Sequence, residues 1–380
     1  MELPMNRLMV LCRYRRGLVW PAVCLVVIAL AASTAAQTEL DRVLERLMAP
    51  PDLEVADGFT ARVLIPPGEL YDPLFMRDHD GQVWINDDGG EEGEKGSKIV
   101  AVDGDGSVST IIPLGRLLPV IGFDIAPPSF APYQGHIFGL GQAVVSLPGV
   151  AANHIIQRVD PQADEDGTLF CTLPAAGEVG GGAAGMGIDA RFGPEESPFA
   201  GKFYAITILN GTVYQVAPDG TCEPFVTFDP QTWGRPMGLA FSRDGEHMLV
   251  SVGDEQRGSI ARVRPDGAVD TPLVRSTELM SPTGMAFAPA NFGAYAGQLF
   301  VATSSGGADI QLTQPMPANG HVYRIDPQGE VHVVVSGLYN PMAIHFTRDR
   351  LWVSDINGDF IAGRRELPEG FVIELRVSQG

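Results

Sequence analysis

One stretch recurs along this chain and leaves it few folds to choose from. Residues 233–267, WGRPMGLAFSRDGEHMLVSVGDEQRGSIARVRPDG, open on Pro236-Met237-Gly238, run apolar to Phe241 and turn at Arg243-Asp244-Gly245. A second apolar run, His247 to Val252, leads through a polar loop to an alternating run, Ser259 to Arg264, and a Pro265-Asp266-Gly267 turn. Val269 to Val274 completes the unit. Four short alternating runs between turn residues, with no helical period, predict an antiparallel four-stranded meander. One meander leaves both faces bare, so it must stack against copies of itself.

Five further copies are present. They start near Tyr71, Val120, Ala183, Ser281 and Asn340, at a spacing of about 45–65 residues. That period belongs to propeller blades, and six copies predict an all-β, six-bladed β-propeller. The last copy lacks a fourth strand: Met342–Phe346, Leu351–Ser354 and Phe371–Val377 supply three. Phe59–Ile65, FTARVLI, alternates in period two ahead of the first copy. It is expected to be the outer strand of the last blade, closing the ring without a long bare edge.

The chain has 380 residues, and the repeats fill residues 59–380 as one domain. Before them, Arg13, Arg15 and Arg16 precede an apolar run, Leu18–Ala32, and small residues at Ser33–Ala36. Residues 1–36 read as a signal peptide, with an uncleaved anchor as the alternative; cleavage implies a periplasmic or secreted protein with no remaining membrane span. Residues 37–58 read as an amphipathic helix, Thr38–Met48, and a linker. Cys171 and Cys222 remain after cleavage, on outer strands of neighbouring blades, either as two buried thiols or as a disulfide. A formal net charge of -20 argues against nucleic acid and anionic lipid as partners. The expected partner is a small or extended ligand, and the expected state is a monomer.

Aligning the copies on Pro-x-Gly gives Leu74, Ile121, Met186, Met237, Thr283 and Met342 at the middle position, an apolar lining for the axis. At the mouth above it the aligned residues are Asp72, Pro119, Ala184, Arg235, Ser281 and Asn340, beside Tyr71, Tyr339 and Trp233. Polar groups and an aromatic rim over an apolar floor match the anatomy of a small-molecule site. Long loops on three contiguous blades, at 87–96, 304–319 and 356–370, form a prospective lid over this face, and His154 follows a variable loop on the same side. Asp87 and Asp355 end the second strands of adjacent blades, and Asp355, Asn357 and Asp359 have the alternate spacing of a calcium loop, though Phe360 stands where such loops place glycine. The other reading is a solvated turn. Neither a zinc motif nor a serine-nucleophile motif is present.

The unit P-x-G-[LM]-A-F, a turn, an apolar run and G-x-[VI]-Y-R-[VI]-x-P-x-G resembles the NHL-repeat propellers and the wider gluconolactonase, or senescence-marker-protein-like, superfamily. The resemblance implies the six-bladed fold. In the lactonase branch it also implies a calcium ion held on the axis by Glu, Asn and Asp from the inner strands. Of those positions only Asp72 and Asn340 match here, with Glu69 the one nearby glutamate. Two functions follow as expectations: a ligand-binding propeller without catalysis, or a calcium-dependent hydrolase of the lactonase or arylesterase class.

Overall fold

The strands assemble as the repeat predicts. A computed structural model describes residues 48–89, 96–117, 119–143, 153–173, 187–208, 210–254, 256–304, 318–357 and 368–378. The chain divides into Met1–Ala49 and Pro50–Gly380, and the propeller lies within the second unit. The signal peptide and all but the last residue of the Thr38–Met48 helix lie outside the described residues. Among those residues, no helix is long and apolar enough to cross a membrane.

Blade 1 comprises β3 (Pro73–His79), β4 (Gln82–Asp88), β5 (Ser97–Val102) and β6 (Val108–Leu117). Blade 2 comprises β7 (Val120–Ile125), β8 (Ile137–Ala143), β9 (Asn153–Val159) and β10 (Thr168–Thr172). Blade 3 is β11 (Gly187–Phe192), β12 (Phe203–Thr207), β13 (Thr212–Val216) and β14 (Cys222–Thr227). Blade 4 is β15 (Arg235–Phe241), β16 (Met248–Gly253), β17 (Gly258–Val263) and β18 (Val269–Ser276). Blade 5 holds β19 (Pro282–Phe287), β20 (Leu299–Thr303), β21 (Gly320–Ile325) and β22 (Val331–Leu338). In blade 6, β23 (Pro341–Thr347), β24 (Arg350–Asp355) and β25 (Gly370–Val377) are completed by β2 (Phe59–Leu70). Phe59 pairs with Val377 and Val63 with Ile373, so the closure is the expected one. A short strand, β1 (Glu54–Val55), adds a fifth strand to blade 5 through Val335 and Ser336. From sequence these two residues belong to the linker, 37–58.

The Pro-x-Gly signature has a physical cause. In every blade the pairing of the first two strands slips at or just after this point, a bulge in the inner strand. At Gly284 a β-carbon would stand 2.7 Å from both Ala343 Cα and Met342 O of blade 6. No side chain fits that approach.

The bulges also free backbone carbonyls, and buried side chains of the preceding blade satisfy them. Ser354 Oγ donates to Leu74 O at 2.6 Å, Ser251 Oγ to Thr283 O at 2.7 Å, and Thr283 Oγ1 to Pro341 O at 2.7 Å. Asn86 Nδ2 donates to Ile121 O at 3.0 Å. Further out, three blades insert a phenylalanine from the connection between their first two strands into the seam with the following blade. Phe130 meets Phe192 at 4.8 Å between centroids, Phe199 meets Phe241 at 5.3 Å and Phe292 meets Phe346 at 4.8 Å. All three plugs are buried, and each such ring pair adds about 0.5–1.5 kcal/mol beyond the area it buries.

Cys171 and Cys222 form a disulfide, with Cα atoms 6.5 Å apart. It joins the outer strands of blades 2 and 3 and decides between the two readings left open by the sequence.

Candidate functional site

The mouth is built by the turns that lead into the inner strands, and two of these are constructed alike. Blade 1 opens with Leu70-Tyr71-Asp72-Pro73 and blade 6 with Leu338-Tyr339-Asn340-Pro341. In each, an aspartate at the end of the second strand, Asp87 or Asp355, fixes the turn through its backbone amides. Asp87 Oδ1 accepts from Asp72 N at 2.8 Å. Asp355 Oδ1 accepts from Asn340 N at 2.9 Å and Asn357 N at 2.7 Å, and Oδ2 accepts from Tyr339 N at 2.8 Å. Asp87 and Asp355 are fully buried. Burial pushes each carboxyl up to about 6, against Lys98 for Asp87 and against the amide hydrogen bonds for both.

Lys98 Nζ lies 3.0 Å from Asp87 Oδ2 and 5.1 Å from the centre of the Tyr71 ring. Across the ring of blades, Arg275 covers the Trp233 ring at 5.2 Å, and Trp233 abuts Phe228. Each of these two rings carries a cation, which fixes its orientation. Tyr71, Asp72, Trp233, Arg235 and Tyr339 are partly exposed, whereas Asn340 is buried and its Oδ1 accepts from Ser304 Oγ at 2.6 Å.

Blade 6 concentrates the oxygen-bearing groups. Asn340, Asp355, Asn357 and Glu369 are at most 4% exposed, and Asn357 Nδ2 donates to the Glu369 carbonyl at 3.0 Å. Asn357 adopts φ 53, the left-handed conformation that Asn tolerates better than most residues. Glu369 escaped the sequence reading because it lies after a long loop with no motif around it. Its signal was weak: a glutamate immediately before the strand Gly370–Val377. Asp359 and Met186 lie outside the described residues.

Leu74, Ile121, Met237 and Met342 join the largest apolar core cluster, so the floor beneath the mouth is apolar at this level. Deeper, the axis is charged, which the alignment on the Pro-x-Gly middle position missed. Three residues further along each inner strand the aligned positions are Arg77, Asp124, Asp189, Ala240, Ala286 and His345. Arg77 Nη2 binds Asp189 Oδ1 at 2.7 Å and the Ala190 carbonyl at 2.8 Å, and Nε stands 3.6 Å from Asp124 Oδ1. Asp189 Oδ2 accepts from Leu239 N at 2.8 Å and lies 3.6 Å from Arg191 Nε. Burial raises the Asp124 carboxyl against the pull of Arg77. Burial, reinforced by the like charge of Arg77, lowers Arg191 to about 10. This cluster ties the inner strands of blades 1 to 4.

His154 sits on β9, 7% exposed, and burial lowers its imidazole to about 4. It is neutral at pH 7. One His/Asp/Glu grouping with converging donor atoms occurs among the described residues, Asp326, Glu330 and His332, within 4.8 Å of one another. It belongs to the β21–β22 hairpin, where Asp326 accepts from Gln328 N and Glu330 N, and not to the mouth.

No protein-family model and no curated protein sequence matches this chain. Solved structures do. A glucose dehydrogenase shares 13% identity over 84% of this chain and 100% of its own, with a TM-score of 0.55. A protein assigned as a gluconolactonase shares 14% identity over 85% of this chain and 94% of its own, with a TM-score of 0.51. A protein of unknown function from Bacteroides thetaiotaomicron shares 10% identity over 86% and 77%, with a TM-score of 0.52. The likeness is one of fold. At these identities the six-bladed architecture is shared, and the residues at the mouth are this chain's own.

Proposed function

We propose that this chain is an exported propeller that binds a small or extended ligand at the mouth formed by the leading turns of blades 1, 4 and 6. The observation that carries the reading is the rim itself. Asp87 and Asp355 hold Tyr71, Asp72, Tyr339 and Asn340 in fixed turns over an apolar floor, and Trp233 and Arg235 stand at the corresponding turn of blade 4. A preformed rim of this kind binds without the cost of ordering its own loops. The apolar run Leu18–Ala32 and the Cys171–Cys222 disulfide both suit an oxidising, non-cytoplasmic compartment. A ligand screen on the mature protein, read by Trp233 fluorescence and calorimetry, tests the reading. Arg235→Ala and Asp72→Ala are expected to weaken any ligand found at least tenfold, about 1.4 kcal/mol. Unchanged affinity in both overturns it.

A second reading, a calcium-dependent hydrolase of lactones or aryl esters, is favoured by the buried oxygen cluster of blade 6. Asp355, Asn340, Asn357 and Glu369 are the oxygen-bearing residues that the backbone contacts above bring together, with Asp359 outside the described residues. Asp87 suits a cation less, because Lys98 already neutralises it at 3.0 Å. A bound calcium would supply Lewis-acid polarisation of a carbonyl. The chain's own contribution is to keep Asp355 anchored by three backbone amides. Metal analysis and chelation separate the readings: calcium absent from purified protein, and no lactone or ester hydrolysis lost to chelator, removes the second.

A further inference from the structure

On the side of the molecule, where blade 6 meets blade 1, three arginines share one carboxylate. Glu374 of β25 is 1% exposed. Its Oε1 accepts from Arg62 Nε at 2.9 Å and Arg376 Nε at 2.7 Å. Its Oε2 accepts from Arg350 Nη1 at 3.2 Å and Trp352 Nε1 at 3.3 Å. Burial would raise this carboxyl, but the hydrogen bonds and charges of Arg62 and Arg376 outweigh it and hold Glu374 at about 2. The carboxylate is saturated, and three guanidinium charges face one fixed negative charge.

The remaining carboxylates lie at the margins. Asp105 acts on Arg62 from the blade 1 hairpin, and Asp349 stands 3.9 Å from Arg350 Nε. Arg376 has no second carboxylate partner among the described residues. Arg62 and Arg376 spend their Nε on Glu374, and Arg62 Nη2 also donates to the Gly104 carbonyl at 3.3 Å, which leaves Arg62 Nη1 and both outer nitrogens of Arg376 to face solvent. Their side chains are 49% and 43% exposed. Between them lies a hollow lined by Thr60, Ala61, Arg62, Glu374 and Arg376. The outer nitrogens of Arg376 and Nη1 of Arg62, beside the Thr60 hydroxyl, are the charged donors that a tetrahedral oxyanion takes.

We propose that this hollow binds a small oxyanion of the phosphate or sulfate class, so that the ring closure is also an anion site. The mouth plays no part in it, and the site stands whether or not either reading of the mouth is correct. The test is a titration of the full mature chain with inorganic phosphate, and separately with glycerol phosphate, against sodium chloride at matched ionic strength, followed by calorimetry and thermal midpoint. A saturable response to either phosphate compound, absent with chloride, is expected. Preference between the two arms tells a free ion from a phosphate ester. Arg376→Ala is expected to lose about tenfold in affinity, the worth of one charge-assisted hydrogen bond. Should that variant fold poorly, Arg376→Lys keeps the charge without the fork and is expected to weaken binding several-fold. A response equal to that of chloride, or unchanged affinity in both variants, overturns the proposal.

Discussion

Arg77 and Asp189 meet at 2.7 Å although a whole blade separates their strands. Arg77 starts from blade 1, passes Asp124 of blade 2 and reaches blade 3, where Asp189 also takes the Leu239 amide of blade 4. The axis is thus held by a buried ionic tie and not by apolar packing alone.

Removing one partner leaves the other charge buried without its match. Arg77→Leu is expected to cost about 3–5 kcal/mol of unfolding free energy, and the Arg77→Leu/Asp189→Leu pair less than the sum of the two single changes. Urea unfolding of the three variants checks this; additive costs would mean that the two residues are not coupled.

Asp355→Asn exchanges one acceptor for an amide that faces the Tyr339 N–H. A loss of about 1–3 kcal/mol is expected at pH 7, from one buried donor left unmatched. Circular dichroism melts measure it, and Asp355→Glu is not expected to rescue, because the longer side chain misplaces both oxygens.

The same carboxyls set a pH dependence. Asp87 and Asp355 titrate near 6 in the folded protein against 3.8 unfolded. The folded state therefore binds their protons first. The stabilisation is complete below about pH 4 and is lost as pH rises through 6, by at most about 3 kcal/mol per group. His154 runs the other way: its pKa of about 4 lies below the unfolded 6.5, so its contribution is lost as pH falls through that window. The readout is consequently a difference. Between pH 4 and 7, Asp355→Asn is expected to gain less stability on acidification than the parent, whereas parallel curves would contradict the assignment.

Reduction of Cys171–Cys222 removes a cross-link between positions 51 residues apart. A loss of about 2–4 kcal/mol is expected. Thermal melts with and without reductant, with alkylation and mass measurement to confirm the thiol state, decide it.

Much of this was legible in the sequence because it repeats. Period, turn residues and the missing fourth strand located every blade and paired Phe59–Ile65 with Phe371–Val377. What escaped was set by register. The middle residue of Pro-x-Gly reads Leu, Ile and Met, whereas the charged position three residues on, Arg77, Asp124 and Asp189, lies at or past the register slip of its inner strand, which a strict period-two reading does not carry across. The plugs Phe130, Phe199 and Phe292 were visible as aromatics in loops, but nothing local says which seam each enters. Asp87 and Asp355 stand out as cation ligands because they align at the ends of second strands in adjacent blades, Asp355 also by its alternate spacing with Asn357 and Asp359. Their backbone amide partners depend on where the preceding turn folds back, which side-chain spacing does not encode.

Arg62 and Glu374 are 312 positions apart in sequence and adjacent in blade 6. Until β25 has been synthesised, β2 has no strand to pair with, and blade 6 consists of β23 and β24 alone. Forming this blade means closing one of the longest loops the chain can make, a step that contact-order arguments place among the slow ones. Anything that keeps β2 away from β25 leaves blade 6 one strand short and a long edge unpaired.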